Sequence, residues 1–101
     1  MSFINLVETR RVLANNLLNL REELGMTQEQ IADEFLMSTR TYGKLERAET
    51  DVKLSTLERV AEVFGITVSN LLSTEFDLKC AAENVMRRFS TEQELDMLSS
   101  L

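Results

Sequence analysis

The sequence predicts an all-α fold, and three observations support this prediction. The 101 residues contain no proline and three glycines, and Leu, Glu, Ala and Arg, which favour helices, are abundant. Apolar residues recur at intervals of three and four, as on one face of a helix. Ser, Thr or Asp residues precede these segments, as expected of helix N-caps. A chain of this length buries about 65% of its unfolded surface, which is enough for one modest core.

The charge balance is acidic, with a formal net charge of −6 and a pI near 4.6. Residues 1–73 carry 8 basic and 11 acidic groups, and residues 74–101 carry 3 and 6. Such a balance disfavours loose, sequence-independent DNA binding, which depends on neutralising phosphates, but it permits a focused contact. We expect the acidic tail to have a role other than binding DNA.

Several function classes are not expected from this composition. The chain has no histidine, no Gly-rich phosphate loop and no Cys or carboxylate cluster at metal-ligand spacing, so we expect no enzyme, metal or cofactor. Cys80 allows no internal disulfide and, beside two alanines, is predicted to be a small core residue. Without a membrane-spanning apolar run or a signal pattern, the protein is expected in the cytoplasm.

The first predicted helix follows an N-terminal arm or helix extension at residues 1–11. From Val12 onward, leucines recur at intervals of four, three and four, and Gly25 ends the pattern. The predicted buried leucines are Leu13, Leu17, Leu20 and Leu24.

Two short helices are predicted next, joined by a tight turn. Residues Thr27–Gln30 form a capping box at the start of the second helix, and Ser38 offers an N-cap for the third. Helices joined so closely cross at a steep angle, which leaves the second of them projecting from the body. The inward residues of the first of this pair are Ile31, Ala32 and Phe35.

A fourth helix is predicted to begin with a capping box at Ser55–Glu58 and to end at Gly65, and Thr67 caps a one-turn fifth helix. The fourth helix buries Leu57, Val60, Ala61 and Phe64, and the fifth ends in Leu71 and Leu72.

The tail is predicted to be a helical hairpin. A capping signal at Thr74–Asp77 opens its first helix, and Ser90 and Thr91 cap its second. A hairpin cannot bury its own apolar seam, so this seam packs on the body or on a second copy. The seam residues, predicted as a dimer interface, are Leu78, Ala82, Val85, Met86, Phe89, Leu95 and Leu98.

The third predicted helix is cationic on one face. Arg40, Lys44 and Arg47 share that face with Gly43, and the apolar residues Tyr42 and Leu45 lie roughly opposite. One side can therefore be buried while the other meets a partner. One prediction is that Arg40 and Lys44 enter a DNA major groove while Arg47 reaches a phosphate. A merely solvated helix face fits the same residues.

A longer stretch carries a family resemblance. The sequence NLREELGMTQEQIADEFLMSTRTYGKLERAET, followed by LSTLERVAEVFGITVSNLL, resembles the phage repressor and Cro-type (XRE-like) helix-turn-helix family across Leu13–Leu72. The resemblance rests on the Gly-x-Thr-Gln entry at Gly25–Gln28, on Leu-Glu-Arg at Leu45–Arg47 and on the closing Phe-Gly-Ile-Thr-Val-Ser-Asn-Leu-Leu. It implies a five-helix DNA-binding domain at residues 12–73, followed by the tail at residues 74–101.

The resemblance also implies roles for individual residues. Gln28 is expected to bond a phosphate beside a helix N-terminus, and Arg40 is the candidate to read guanine. Arg21 and Glu46 are expected to form an ion pair that ties the first helix to the recognition helix. The predicted DNA-binding residues are Gln28, Ser38, Thr39, Arg40, Gly43, Lys44, Arg47 and Lys53.

Three positions depart from the family pattern. Leu36 stands where the turn usually has glycine, and Ala48 replaces the glycine that commonly follows Leu-Glu-Arg. Glu49 and Asp51 occupy a loop that is often basic, which leaves Lys53 as its only cation. Binding is therefore expected to be weak and salt-dependent, or to rely on a dimer.

The predicted function is a sequence-specific transcriptional regulator, acting as a repressor. A homodimer would bind double-stranded DNA at a palindromic operator. The alternative is an antitoxin-like or other protein-interaction module with the same fold, whose acidic tail binds a partner protein.

Overall fold

The computed structural model describes the backbone of residues 4–87 and the side chains of residues 9–87. This part of the chain is helical and contains no strand, which confirms the all-α prediction. None of its helices is both long and apolar enough to cross a membrane. The helices are α1 (Ile4–Leu24), α2 (Gln28–Glu34), α3 (Thr39–Glu46), α4 (Leu54–Phe64), α5 (Val68–Leu71) and α6, which is described over residues 78–87.

An aromatic contact at Phe35 forms the centre of the core. The ring of Phe35, at the end of α2, lies 5.9 Å from Tyr42 of α3 and 5.1 Å from Phe64 of α4, the latter in an edge-to-face arrangement. All three residues are fully buried. Such pairs add about 0.5–1.5 kcal/mol beyond their buried area, so α2, α3 and α4 are held at one point. The α1 leucines Leu13, Leu17 and Leu20 and Ile31 of α2 pack in the same core.

Four helices end on a residue with left-handed backbone. Gly25 and Gly65 do so at φ of 64° and 63°, as the sequence predicts. Leu36 (φ 56°) and Ala48 (φ 58°) adopt the same conformation although they carry a Cβ atom, at a cost of about 1–2 kcal/mol each. Leu36 and Ala48 therefore keep the turn geometry that glycine usually provides, and their backbones are strained.

The N-caps predicted for α2, α3 and α5 are present. The Thr27 hydroxyl accepts the amide of Gln30 at 3.1 Å and completes the capping box. Ser38 and Thr67 cap α3 and α5 in the same way, at 3.1 and 3.0 Å. Each hydroxyl satisfies an amide that the helix leaves unpaired.

The capping box predicted at Ser55 is wrong. Helix α4 begins at Leu54 after Lys53, whose side chain makes no cap hydrogen bond. Val52 and Leu57, which flank this start, both pack against the core. They occupy the positions of a hydrophobic staple, and this packing sets the beginning of the helix one residue before Ser55.

Two further local predictions are corrected near the tail. Asp77, not Thr74, caps α6, because its carboxylate accepts the Cys80 amide at 3.0 Å. Cys80 is exposed and not a core residue. Its neighbours Ala81 and Ala82 take the buried positions of this turn.

At the other end of the chain, α1 begins at Ile4 and so includes most of the predicted arm.

Two asparagine side chains bind the carbonyls at helix ends. Asn16, buried in α1, donates to the carbonyls of Leu71 and Ser73 at 2.8 and 3.1 Å. Asn84 of α6 donates to the carbonyl of Phe64 at 2.7 Å. Since the last carbonyls of a helix have no partner within it, these amides satisfy α5 and α4 and fix α1 and α6 against them.

Helix α6 packs on the body of its own chain. Ala82 and Val85, predicted to pair with a second copy, are 5% and 1% exposed and belong to the core, with Leu78 packed partly buried against it. Met86 lies outside this contact and is 59% exposed. The remaining predicted interface residues, Phe89, Leu95 and Leu98, and the last predicted helix lie outside the described residues.

We expect Val85→Ala to lower the free energy of unfolding by about 2 kcal/mol, because it removes two methyl groups from a closed core. Met86→Ala, the matched control on the exposed side of α6, should change it by less than about 0.5 kcal/mol. Urea unfolding of both variants measures the difference. Equal losses would show that α6 does not pack by this face.

Candidate nucleic-acid interface

Helix α3 is buried along one side only. Tyr42 and Leu45 are 0% and 4% exposed, as predicted from their spacing. A helix of eight residues is too short to be stable alone, so these contacts hold it in place. The residues at its start, Ser38, Thr39 and Arg40, are exposed.

The end of α3 is fixed by a bidentate ion pair. Arg21 of α1 donates from Nε and Nη2 to the two carboxylate oxygens of Glu46 at 2.8 and 2.9 Å, as the resemblance implied. A third donor of Arg21 binds the Met26 carbonyl at 3.1 Å. The Glu46 side chain is 6% exposed, so the charges depend on each other.

Titration of this pair reflects burial opposed by hydrogen bonding. Burial alone would raise the pKa of Glu46, but hydrogen bonds from Arg21 and Gln28, together with the nearby Tyr42 hydroxyl, outweigh it and lower the pKa below its usual 4.5. The bond to Glu46 raises the pKa of Arg21. Burial, and then the neighbouring Glu46 carboxylate, raise the pKa of the Tyr42 hydroxyl, which stays protonated.

Gln28 joins the same network from the start of α2. Its Nε2 donates to Glu46 at 3.2 Å, and the side chain is half-buried. The amide is therefore already engaged within the chain, which the sequence did not indicate. Its first-turn position still places it beside the free backbone amides of a helix start, where an anion is favoured.

The cations of α3 differ in their surroundings. Arg40 is exposed and Lys44 half-buried, and no side chain among residues 9–87 forms a salt bridge with either. Lys53, in the loop that follows, is exposed. Arg40 and Lys44 thus keep their charge available on the side of α3 opposite Tyr42.

Gly43, predicted to be a DNA-binding residue, is covered by a side chain of its own chain. It is buried beneath the Arg47 side chain, and a Cβ built on it would lie 2.9 Å from Nη1 of that arginine. Arg47 in turn forms a salt bridge with Glu49, whose carboxylate lies 3.0 Å from Nε. The three residues therefore form one unit, and the predicted phosphate contact of Arg47 has a competitor within the chain.

The second loop acid is also paired. Asp51 forms a salt bridge with Arg10 of α1. The sequence did not indicate this contact, since 41 residues separate the partners. The two acids that seemed unfavourable for DNA binding are thus each balanced by an arginine.

Thr41, an exposed residue that was not predicted, accepts a hydrogen bond from Ser38 at 2.9 Å on the same surface.

A short helix, a tight turn and a second helix that is buried on one side and cationic on the other define a helix-turn-helix domain. Residues 17–71 match the helix-turn-helix family of XRE type, and the chain belongs to this family. It is 38% identical over 60 residues to the HTH-type transcriptional regulator DdrOP3 of Deinococcus deserti. This alignment covers 59% of the chain and 46% of that protein, so the chain matches about half the length of its relative. No solved structure matches the chain.

Removing Arg21 should destabilise the protein in a pH-dependent way. At pH 7 we expect Arg21→Ala to lower the free energy of unfolding by about 3 kcal/mol, because it leaves the Glu46 charge buried and unpaired. The folded-state pKa of Glu46 is lowered, so its stabilising effect is complete above about pH 4.5 and is lost as the pH falls through the folded value. The difference in the free energy of unfolding between variant and wild type should therefore narrow below pH 4.5.

Urea unfolding at several pH values tests this expectation. Arg11→Ala, on the exposed side of the same helix, removes an equal charge and should cost less than about 0.5 kcal/mol. A gap that stayed constant down to pH 3 would contradict the role assigned to Glu46.

Proposed function

We propose that the protein is a DNA-binding transcriptional regulator that acts as a homodimeric repressor on a palindromic operator. In this proposal α3 enters the major groove, and Arg40 and Thr39 at its start meet base edges. Lys44 lies one turn later on the same face. Gln28 and Lys53 contact phosphates on either side, which would set the register of α3 in the groove.

One observation carries the proposal. A chain of net charge −6 keeps Arg40 and Lys44 unpaired by any side chain of residues 9–87. They project from a helix whose other side is locked by Tyr42 and Glu46. Cations that face outward from a firmly packed helix on an acidic protein suit a polyanion.

Dimerisation in this proposal uses Met86 of α6 together with the apolar residues that follow it in the sequence. Met86 is the exposed apolar residue of α6, and Phe89, Leu95 and Leu98 follow it in the sequence. A two-fold dimer would place two α3 helices in successive major grooves about 34 Å apart. Action on DNA would also place the protein in the cytoplasm.

A protein-interaction module remains the competing function. Its support in the sequence was the acidic tail, the overall charge and the acidic loop, and the arginine pairs of Glu49 and Asp51 weaken the last of these. An experiment that selects binding sequences from random duplexes at low salt separates the two functions. Enrichment of a palindrome supports the regulator, and enrichment of no motif supports the interaction module.

We expect Arg40→Ala to reduce discrimination between the selected operator and a scrambled duplex by about 1–3 kcal/mol, because an arginine bound to a guanine is lost. Competition binding at fixed salt measures this ratio. Lys79→Ala, which removes the same charge from an exposed position of α6, should leave the ratio unchanged. An Arg40→Ala protein that is folded and still selects the operator like wild type would refute the assignment.

We expect Met86→Asp to shift the protein from dimer to monomer, because it places a charge in the proposed apolar contact. Since Met86 is exposed in the single chain, the variant should remain folded. Light scattering across a range of concentrations gives the mass. Cys80→Asp, which adds the same charge at another exposed position of α6, is the control and should stay dimeric. A wild-type chain that is monomeric at all concentrations contradicts the dimer.

A further inference from the structure

The side chain of Arg47 lies over Gly43, where a Cβ atom would displace its guanidinium. A Cβ on residue 43 would lie 2.9 Å from Nη1 and 3.7 Å from Cζ of Arg47. Glycine is unfavourable within a helix, yet here it stands between Tyr42 and Lys44 in the middle of α3. Its use at this position is explained by the flat guanidinium that covers it.

Glu49 holds the same side chain from the other end. The left-handed backbone of Ala48 reverses the chain, and the Glu49 amide then bonds the Lys44 carbonyl at 2.9 Å. This turn brings the Glu49 carboxylate to within 3.0 Å of Arg47 Nε. Gly43 and Glu49 therefore fix the plane of the guanidinium together.

The arrangement has opposite consequences for phosphates and for bases. A phosphate would have to compete with Glu49, whose charge already balances that of Arg47. A guanine edge is neutral and takes two donors from the terminal nitrogens of an arginine, whereas the 3.0 Å contact of Glu49 is with Nε. A restrained and neutralised arginine thus favours base contacts over phosphate contacts.

We propose that Gly43 and Glu49 are specificity-determining residues, which hold Arg47 as a base-reading donor and withdraw its charge from phosphates. This inference rests on the proposed function of DNA binding. It replaces the phosphate contact first predicted for Arg47, and it assigns a role to two positions that do not themselves bind the bases.

Three variants test the proposal against the selected operator and a scrambled duplex, each titrated over a range of salt. Glu49→Gln should tighten binding to the scrambled duplex by about two- to fivefold, since exposed pairs are weak. It should also steepen the dependence on salt by about one phosphate contact per protomer. Gly43→Ala should act in the same direction because it displaces the guanidinium. Arg47→Ala should lower the selectivity ratio and leave the salt dependence unchanged.

Glu83→Gln, an exposed position of α6, removes the same charge as Glu49→Gln and should leave the selectivity ratio unchanged. If Glu83→Gln tightens binding to the scrambled duplex as much as Glu49→Gln does, only net charge is involved and the proposal is wrong. If Arg47→Ala weakens both duplexes equally and flattens the salt dependence by about one contact, Arg47 is a phosphate ligand and the proposal is also wrong.

Side-chain NMR of the free protein provides a readout that needs no DNA. The Arg47 Nε–H signal should exchange slowly in wild type and rapidly in Glu49→Gln and Gly43→Ala. An operator-selective wild type in which this signal already exchanges rapidly overturns the present inference and leaves the proposed function intact. A wild type with a protected signal but no preference among duplexes overturns the proposed function, and with it the reading role of Arg47.

Discussion

The bidentate contact between Arg21 and Glu46 is the constraint on which the candidate interface depends. The single carboxylate of α3 receives donors from Arg21 of α1 and from Gln28 of α2. A buried ion pair of this kind contributes little net stability compared with apolar packing. The pair instead fixes the orientation of α3, because two parallel hydrogen bonds from one guanidinium permit a single geometry. Together with Tyr42, it sets the angle at which α3 leaves the core.

Features that depend on neighbouring residues could be predicted from the sequence. The caps at Thr27 and Ser38 need only the amide three residues later, and the leucine spacing of α1 already defines its buried face. The error at the start of α4 arose where packing competes with capping. The contact of Val52 with the core, which a reading of Ser-x-x-Glu alone does not consider, decided the beginning of α4.

Contacts between distant positions could not be predicted from composition and spacing, because many pairings fit the same composition. The Arg21–Glu46 pair was expected through the family resemblance alone. Asn16 reaches a carbonyl 55 residues away, and Arg10 reaches an acid 41 residues away. The tail illustrates the same limit. Its interval of four, three and four defines an apolar face but not what covers it, and in the structure the chain's own body covers Ala82 and Val85.

The charge pairs of the loop change how the acidic composition should be understood. Counted by residue type, Glu49 and Asp51 oppose DNA, but each is neutralised by an arginine that would otherwise attract any phosphate. If the protein binds DNA as proposed, each pair reduces the contribution of its arginine to the sequence-independent part of binding, which grows with every uncompensated cation. Weak attraction to all DNA increases the share of affinity that base contacts must supply. If two such domains are joined, binding of the first raises the effective concentration of the second, so that modest contacts in each half combine into selective binding at a paired site.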